Sequence, residues 1–200
     1  MLSTLFSLYL KMLVLYGPFF VLSCFISLTP GFSDKEKQRL AWRVGLSVMI
    51  ASILLYLFGR LIFDAFGITI DAFRIGAGTV LFISALSMAQ GRPVVQPDSL
   101  DQDPTIVPLT IPLTVGPGTI GALMVMGASH EDLTSKGLTI LAITLGSLTT
   151  AVVLYLSARI ERLLGKQGLQ ILSRLMGLFV CALAAQIIFT GVRNYFGFTA

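Results

Sequence analysis

The chain has 200 residues, of which 55% are hydrophobic and only 12% are charged, with a formal net charge of +4. An ordinary soluble domain carries about 25% charged residues, so this composition excludes a water-soluble globular protein. The basic excess is explained by the preference of Lys and Arg for cytoplasmic loops of membrane proteins, and it does not indicate nucleic-acid binding.

Six runs without a charged residue succeed one another and predict six transmembrane helices. They cover residues 12–33, 44–59, 75–91, 104–129, 137–158 and 175–192. A helix needs roughly 20 apolar residues to cross a hydrocarbon core about 30 Å thick. The expected fold class is therefore all-α, a polytopic membrane protein. Nine basic residues flank the spans on one side and five on the other, which predicts that both termini lie outside.

The two halves of the chain resemble each other at an offset of 99 or 100 residues. Gly17-Pro18 matches Gly116-Pro117, Arg74 matches Arg174, and Gly91 matches Gly191. Because each half contains an odd number of spans, three, the second half must insert with the opposite orientation, as in the inverted repeats of many transporters. We expect repeats at residues 1–91 and 104–200, joined by a loop at 92–103. Chance matching of small residues in an apolar chain is the alternative.

The Gly-Pro pairs predict breaks in spans one and four, near the membrane midplane. Proline removes a helical hydrogen bond, and residues 104–117 contain four prolines. A helix that begins at such a break presents unpaired amides, here those of Phe19, Phe20, Gly118 and Thr119, which suit a carboxylate. Proline kinks that serve only helix packing are the alternative reading.

The predicted substrate site combines this backbone with nearby polar side chains. Threonine hydroxyls line span four, and a single amide lies deep in span six. The predicted substrate-binding residues are Gly17, Pro18, Phe19, Thr114, Gly116, Pro117, Gly118, Thr119 and Gln186. Lys11 is expected to extend to the membrane surface.

Enzymatic chemistry has no support in the sequence. The single histidine, His130, lies in a polar loop, and no hydrolase, metalloprotease or ATP-binding motif is present. We expect no catalytic residue, no metal site and no cofactor, and Cys24 and Cys181 are expected to pack as apolar residues. A proton or sodium ion remains open as a coupling ion.

Residues 107–120, VPLTIPLTVGPGTI, resemble the signature of the MarC family of integral membrane proteins, and the likeness extends to residues 66–82 and 173–192. The resemblance implies a six-helix protein of the prokaryotic inner membrane, in a family that includes transporters of small neutral amino acids. Family members usually carry Asn or Asp before the proline of span one and a glycine two residues after it. This chain has Gly17 and Phe20 there.

The resulting hypothesis is a secondary transporter of small neutral amino acids, in the glycine and alanine class, that works by alternating access. An exporter of another small metabolite and a non-transporting membrane scaffold or regulatory protein are the alternatives. The expected partners are a small-molecule substrate and the lipid bilayer. Homo-oligomerisation is left open by the sequence.

Overall fold

The computed structural model describes residues 2–29, 31–91, 114–129 and 132–197, and all regular structure in these ranges is helical. The helices are α1 (Leu2–Tyr16), α2 (Pro18–Leu28), α3 (Asp34–Phe66), α4 (Ile70–Gln90), α5 (Pro117–Ser129), α6 (Leu133–Tyr155) and α7 (Ser157–Tyr195). The expected loop at 92–103 and the proline-rich first part of span four lie outside the described residues.

Five helical segments are long and apolar enough to cross a membrane. They are Leu2–Leu28, which joins α1 and α2, Asp34–Gly59, Ile70–Gln90, Leu133–Tyr155 and Gln167–Tyr195. The shorter apolar helix Gly118–Ser129 accompanies them. The chain is thus a multi-pass, all-helical membrane protein in its described part, as the composition predicted.

The bounds predicted for several spans are wrong because charged residues do not mark the helix ends. The first segment begins at Leu2 instead of residue 12, so Lys11 lies inside it. The last segment begins at Gln167 instead of residue 175 and contains Arg174. Its start comes after a kink at Gly165, whose backbone has φ 64° and ψ 174°.

Local signals set the start of α3. The Ser33 hydroxyl accepts a hydrogen bond from the backbone N–H of Glu36, and the Glu36 carboxylate accepts one from the Ser33 N–H at 2.8 Å. This reciprocal capping box satisfies two amides that a helix start leaves unpaired. The helix therefore begins before the apolar run and carries its first charged residues, Asp34 and Lys35, at the surface.

Most helix packing joins the first half of the chain to the second. The most extensive interface lies between α4 and α7, and α3 packs against both α5 and α6. In turn, α1 packs against α6, while α2 packs against α7 and α6. The largest apolar core, which includes Tyr16, Phe25 and Leu123, therefore forms only when both halves are present.

Candidate functional site

The first membrane segment is interrupted at Gly17, where the sequence predicts a break. Helix α1 ends at Tyr16, Gly17 adopts the left-handed conformation with φ 52° and ψ 56°, and Pro18 is the first residue of α2. Proline disfavours helical geometry in the preceding residue, and glycine enters the left-handed region without steric cost. The Gly-Pro pair is thus sufficient to explain the break.

The backbone around this break is largely paired. The Gly17 N–H donates to the carbonyls of Leu13 and Val14, both at 3.2 Å. The Gly17 carbonyl accepts hydrogen bonds from Phe20 at 2.9 Å and Val21 at 3.0 Å. The expectation that the Phe20 amide is unpaired is therefore wrong, because the first turn of α2 closes on Gly17.

Side chains from other helices also surround this break. Gly17 and Pro18 are buried, and a Cβ added to Gly17 would lie 3.3 Å from the terminal methyl of Met88 on α4. The Phe19 carbonyl accepts a hydrogen bond from the Ser173 hydroxyl of α7 at 3.2 Å. The break is held between helices of both halves and does not face lipid.

The second predicted break coincides with the start of α5 at Pro117. The Gly116 carbonyl accepts a hydrogen bond from Ile120 at 2.8 Å, and Thr114 and Thr119 are buried. Gly118 packs directly against Leu81 of α4, because the backbones approach too closely for a Cβ. The close approach supplies a packing reason for glycine at this position.

Both breaks pack against one face of α4. Gly17 meets Met88 and Gly118 meets Leu81, seven residues earlier on the same helix. Seven residues correspond to two helical turns, or about 10 Å along the axis. The two breaks are therefore near neighbours in the bundle, but side chains of α4 lie beside each of them.

A cavity of about 270 Å³ lies beside this region, between α1, α4, α5 and α7. Three of the helices each contribute residues at spacings of three, four and seven, the pattern of one helical face. The lining residues are Leu8, Lys11, Met12 and Leu15; Arg74; Ala122, Val125, Met126 and Ser129; and Leu183, Gln186, Ile187 and Thr190.

Exposure shows which end of the cavity is open. Ser129 and Thr190 are exposed, whereas Leu15 and Ala122 are only 8% and 4% exposed. The cavity therefore opens at the Ser129 end of the bundle, where α4 begins and α5 ends. Seven residues separate Ala122 from Ser129, which places the floor about 10 Å below the mouth.

A polar network occupies the mouth. The Arg74 guanidinium forms an ion pair with Asp71 at 2.6 Å and donates a hydrogen bond to the Ser129 hydroxyl at 2.8 Å. Asn194 of α7 donates to the same Asp71 carboxylate at 3.2 Å. This network ties together the ends of α4, α5 and α7, so the position of Arg74 is set by three helices.

An apolar cluster closes the floor. Leu15, Leu81 and Ala122 pack with Ala85, Val180 and Ala184 from α4 and α7. Leu81 is also the residue against which Gly118 packs. A single layer of apolar side chains therefore separates the open cavity from the second break.

Three buried hydroxyls lie next to the first break. Tyr16, Ser52 and Ser147 come from α1, α3 and α6, and the Tyr16 hydroxyl is within interaction range of both serine side chains. Each hydroxyl is shielded from solvent without forming a hydrogen bond of good geometry to a described group. Tyr16, the last residue before the break, therefore ends in a buried hydroxyl without such a hydrogen bond.

The structure places the predicted site residues in two groups. Gln186 lines the cavity, and its side chain is exposed there. The cavity lining does not include Gly17, Pro18, Phe19, Thr114, Gly116, Gly118 or Thr119. Pro117 is the first residue of α5.

Sequence reasoning missed Lys11 and Arg74 as cavity residues. The sequence places Lys11 at the surface, and in the structure Lys11 is exposed and also lines the cavity, on the α1 face formed by Leu8, Met12 and Leu15. The spacing of three, four and seven residues that puts these side chains on one helical face is visible in the sequence and was the available signal. Among the described residues, no group of three His, Cys, Asp or Glu side chains has a geometry that could hold a metal ion.

Comparison with known proteins identifies the family. The family model described as MarC family integral membrane protein matches residues 2–196. A UPF0056 membrane protein of Methanocaldococcus jannaschii is 34% identical over 185 residues, which cover 89% of this chain and 90% of that protein. Another from Pyrococcus horikoshii is 32% identical over 199 residues, covering 98% and 97%. No solved structure matches. The sequence resemblance is thus confirmed, and the chain belongs to the MarC family of integral membrane proteins.

Proposed function

We propose that this protein is a secondary transporter of small neutral amino acids that works by alternating access. The observation that carries the proposal is the cavity formed jointly by both halves of the chain, open at the Ser129 end and closed by the apolar cluster around Leu15 and Ala122. A volume of about 270 Å³ lies just below the 300–1,000 Å³ of drug-sized ligand sites, which favours a small solute.

The proposed transport path continues from the cavity floor to the breaks. Separation of the apolar cluster would connect the cavity to the region where Gly118 and Gly17 pack against α4. Interrupted helices at such a position are a common feature of secondary transporters, because they supply backbone groups to a substrate. The path would then reach the opposite end of the bundle, near Leu156, when the Ser129 end closes.

The proposal includes an inverted repeat of two three-span units. The packing supports it, since the helices of each half exchange equivalent contacts: α1 and α2 pack on α6 and α7, while α5 packs on α3 and α4. We place the Ser129 end at the outer face of a prokaryotic inner membrane, in keeping with the distribution of basic residues. The structure then corresponds to an outward-open state.

Transport is tested with the purified chain in liposomes. We expect exchange of labelled alanine or glycine against the same unlabelled amino acid, and dependence on a proton or sodium gradient identifies the coupling ion. Ala122→Leu, which enlarges a floor side chain, should reduce exchange at least tenfold. Ala182→Leu adds the same group at an exposed position of α7 and is the matched control.

Two results would contradict the proposal. If no amino acid in a broad panel exchanges, the transport function is wrong and a scaffold or regulatory role is favoured. If another metabolite exchanges and alanine and glycine do not, the alternative of a different exporter is favoured. Equal loss of exchange in Ala122→Leu and Ala182→Leu would remove the assignment of the cavity as the entrance.

A further inference from the structure

Lys11 is a charged residue placed within the first apolar segment. It lies nine residues from Leu2, the start of a 27-residue segment that extends to Leu28. A charged side chain in the interior of a membrane is costly, and such residues almost always face a cavity or another protein group. Lys11 obeys this rule because its side chain lines the cavity at the Ser129 end.

The depth of Lys11 distinguishes it from Arg74. Lys11 is four residues from the floor residue Leu15, and Gln186 is three residues from Leu183, which packs against the floor cluster. Both side chains therefore start at a similar depth, about 5 Å above the floor, on helices α1 and α7. Arg74 belongs to the polar network of the mouth.

The two charged side chains of the cavity lining, Lys11 and Arg74, are both basic. Asp71 forms an ion pair with Arg74 and also accepts a hydrogen bond from Asn194. Among the lining residues that the structure describes, none is acidic, so no carboxylate of the lining neutralises Lys11. An ammonium group with three donors in a partly apolar cavity favours a carboxylate from a ligand.

We propose that Lys11 binds the carboxylate of the solute that enters this cavity, with the Gln186 amide as a second hydrogen-bonding group. The apolar side chains of Leu15, Val125 and Ile187 would then contact a small apolar body. The ligand class is a small monocarboxylate or a neutral amino acid, and a cationic solute is disfavoured by Lys11 and Arg74. The inference rests on the proposed function only for the transport steps that come after binding.

Binding can be measured without transport on the purified full chain in detergent, by calorimetry. The probes are L-alanine, propionate and L-alaninamide, which keeps the size of alanine but lacks the carboxylate. At constant ionic strength, we expect alanine and propionate to bind about 10- to 100-fold more tightly than alaninamide, the range for a charge-assisted hydrogen bond. This comparison on the unmodified protein does not depend on the folding of a variant.

Variants test the residue itself. Lys11→Gln should remove the preference for a carboxylate, and Lys11→Arg should retain part of it. Lys136→Gln, in the first turn of α6 and outside the cavity lining, removes one positive charge and should leave the preference unchanged. In liposomes, Lys11→Gln should raise KM about tenfold or more with a smaller effect on kcat.

The outcomes separate this inference from the proposed function. If unmodified protein binds alaninamide as tightly as alanine, or if Lys11→Gln and Lys136→Gln have equal effects, the role of Lys11 is wrong. If Lys11→Gln transports alanine with unchanged KM, the transport function is supported and the role of Lys11 in binding is wrong. If the carboxylate preference is present and depends on Lys11 but no transport occurs, the binding site is supported and the transport function is wrong.

Discussion

Gly17→Ala tests whether the first membrane segment is interrupted, because the sign of its effect depends on backbone geometry. In a continuous helix, replacing an interior glycine by alanine stabilises by about 0.8–1.0 kcal/mol. At Gly17 the backbone has φ 52°, a left-handed conformation in which an L side chain costs roughly 1–2 kcal/mol. If the break is present, Gly17→Ala should therefore lower stability, whereas in a continuous helix the same substitution should raise it.

The structure also separates conformational strain from steric contact. A Cβ at Gly17 would lie 3.3 Å from the Met88 methyl, the flexible end of a side chain that moves at little cost. Gly67 has φ 63° with nothing within 4 Å of the added Cβ, so Gly67→Ala reports strain alone. We expect both substitutions to lower the free energy of unfolding by about 1–2 kcal/mol.

The assay is reversible unfolding of the purified protein in mixed micelles, monitored by circular dichroism. Gly76→Ala is the helical control, since Gly76 lies within α4 and a Cβ there meets nothing within 4 Å. It should be neutral or stabilising by up to about 1 kcal/mol. If Gly17→Ala behaves like Gly76→Ala and not like Gly67→Ala, the helix is continuous and the break is refuted.

Four further substitutions are read out by the same unfolding assay. Gly118→Ala should destabilise by about 1–3 kcal/mol, because a Cβ there overlaps α4; a neutral effect would contradict the close packing of α4 on α5. Tyr16→Phe should be neutral or stabilising by up to about 1 kcal/mol, since its buried hydroxyl lacks a hydrogen bond. Tyr9→Phe loses a 3.1 Å hydrogen bond to α6 and should lower the free energy of unfolding by about 0.5–1.5 kcal/mol. Equal effects of Tyr9→Phe and Tyr16→Phe would contradict the claim that only the Tyr9 hydroxyl is hydrogen-bonded. Ser33→Ala should cost about 1 kcal/mol through loss of the α3 cap, and unchanged stability would argue against that cap.

Much of the fold is predictable because a bilayer imposes simple constraints on a sequence. Backbone groups in hydrocarbon must be paired within the chain, so long apolar runs form helices. The Gly-Pro pair at residue 17 combines two strong local preferences, and the structure has a left-handed residue there. Span ends are less predictable, since the charge pattern predicts boundaries at Lys11 and Arg174 although both lie within helical segments.

The candidate site is harder to predict because it depends on which helix faces meet. The interruptions predict a substrate site at the breaks, and this stays a prediction. In the structure α4 packs against Gly17 and Gly118, and the described cavity lies on the other side of the apolar cluster that contains Leu81. The polarity of Gln186 points to a cavity, and Gln186 does line one. For Lys11 the sequence favours the surface, because a single charged residue near a helix start usually reaches water.

Composition, local backbone preferences and a linear motif are enough to establish the membrane environment, the helical class, the break at Gly17 and the MarC family. None of these requires knowledge of distant contacts. The location of the open space between α1, α4, α5 and α7, and the presence of Lys11 on its wall, emerge only from the packed bundle. The physical reason is that a cavity exists where helices from both halves fail to fill the volume between them, and that volume depends on pairings that no local pattern specifies.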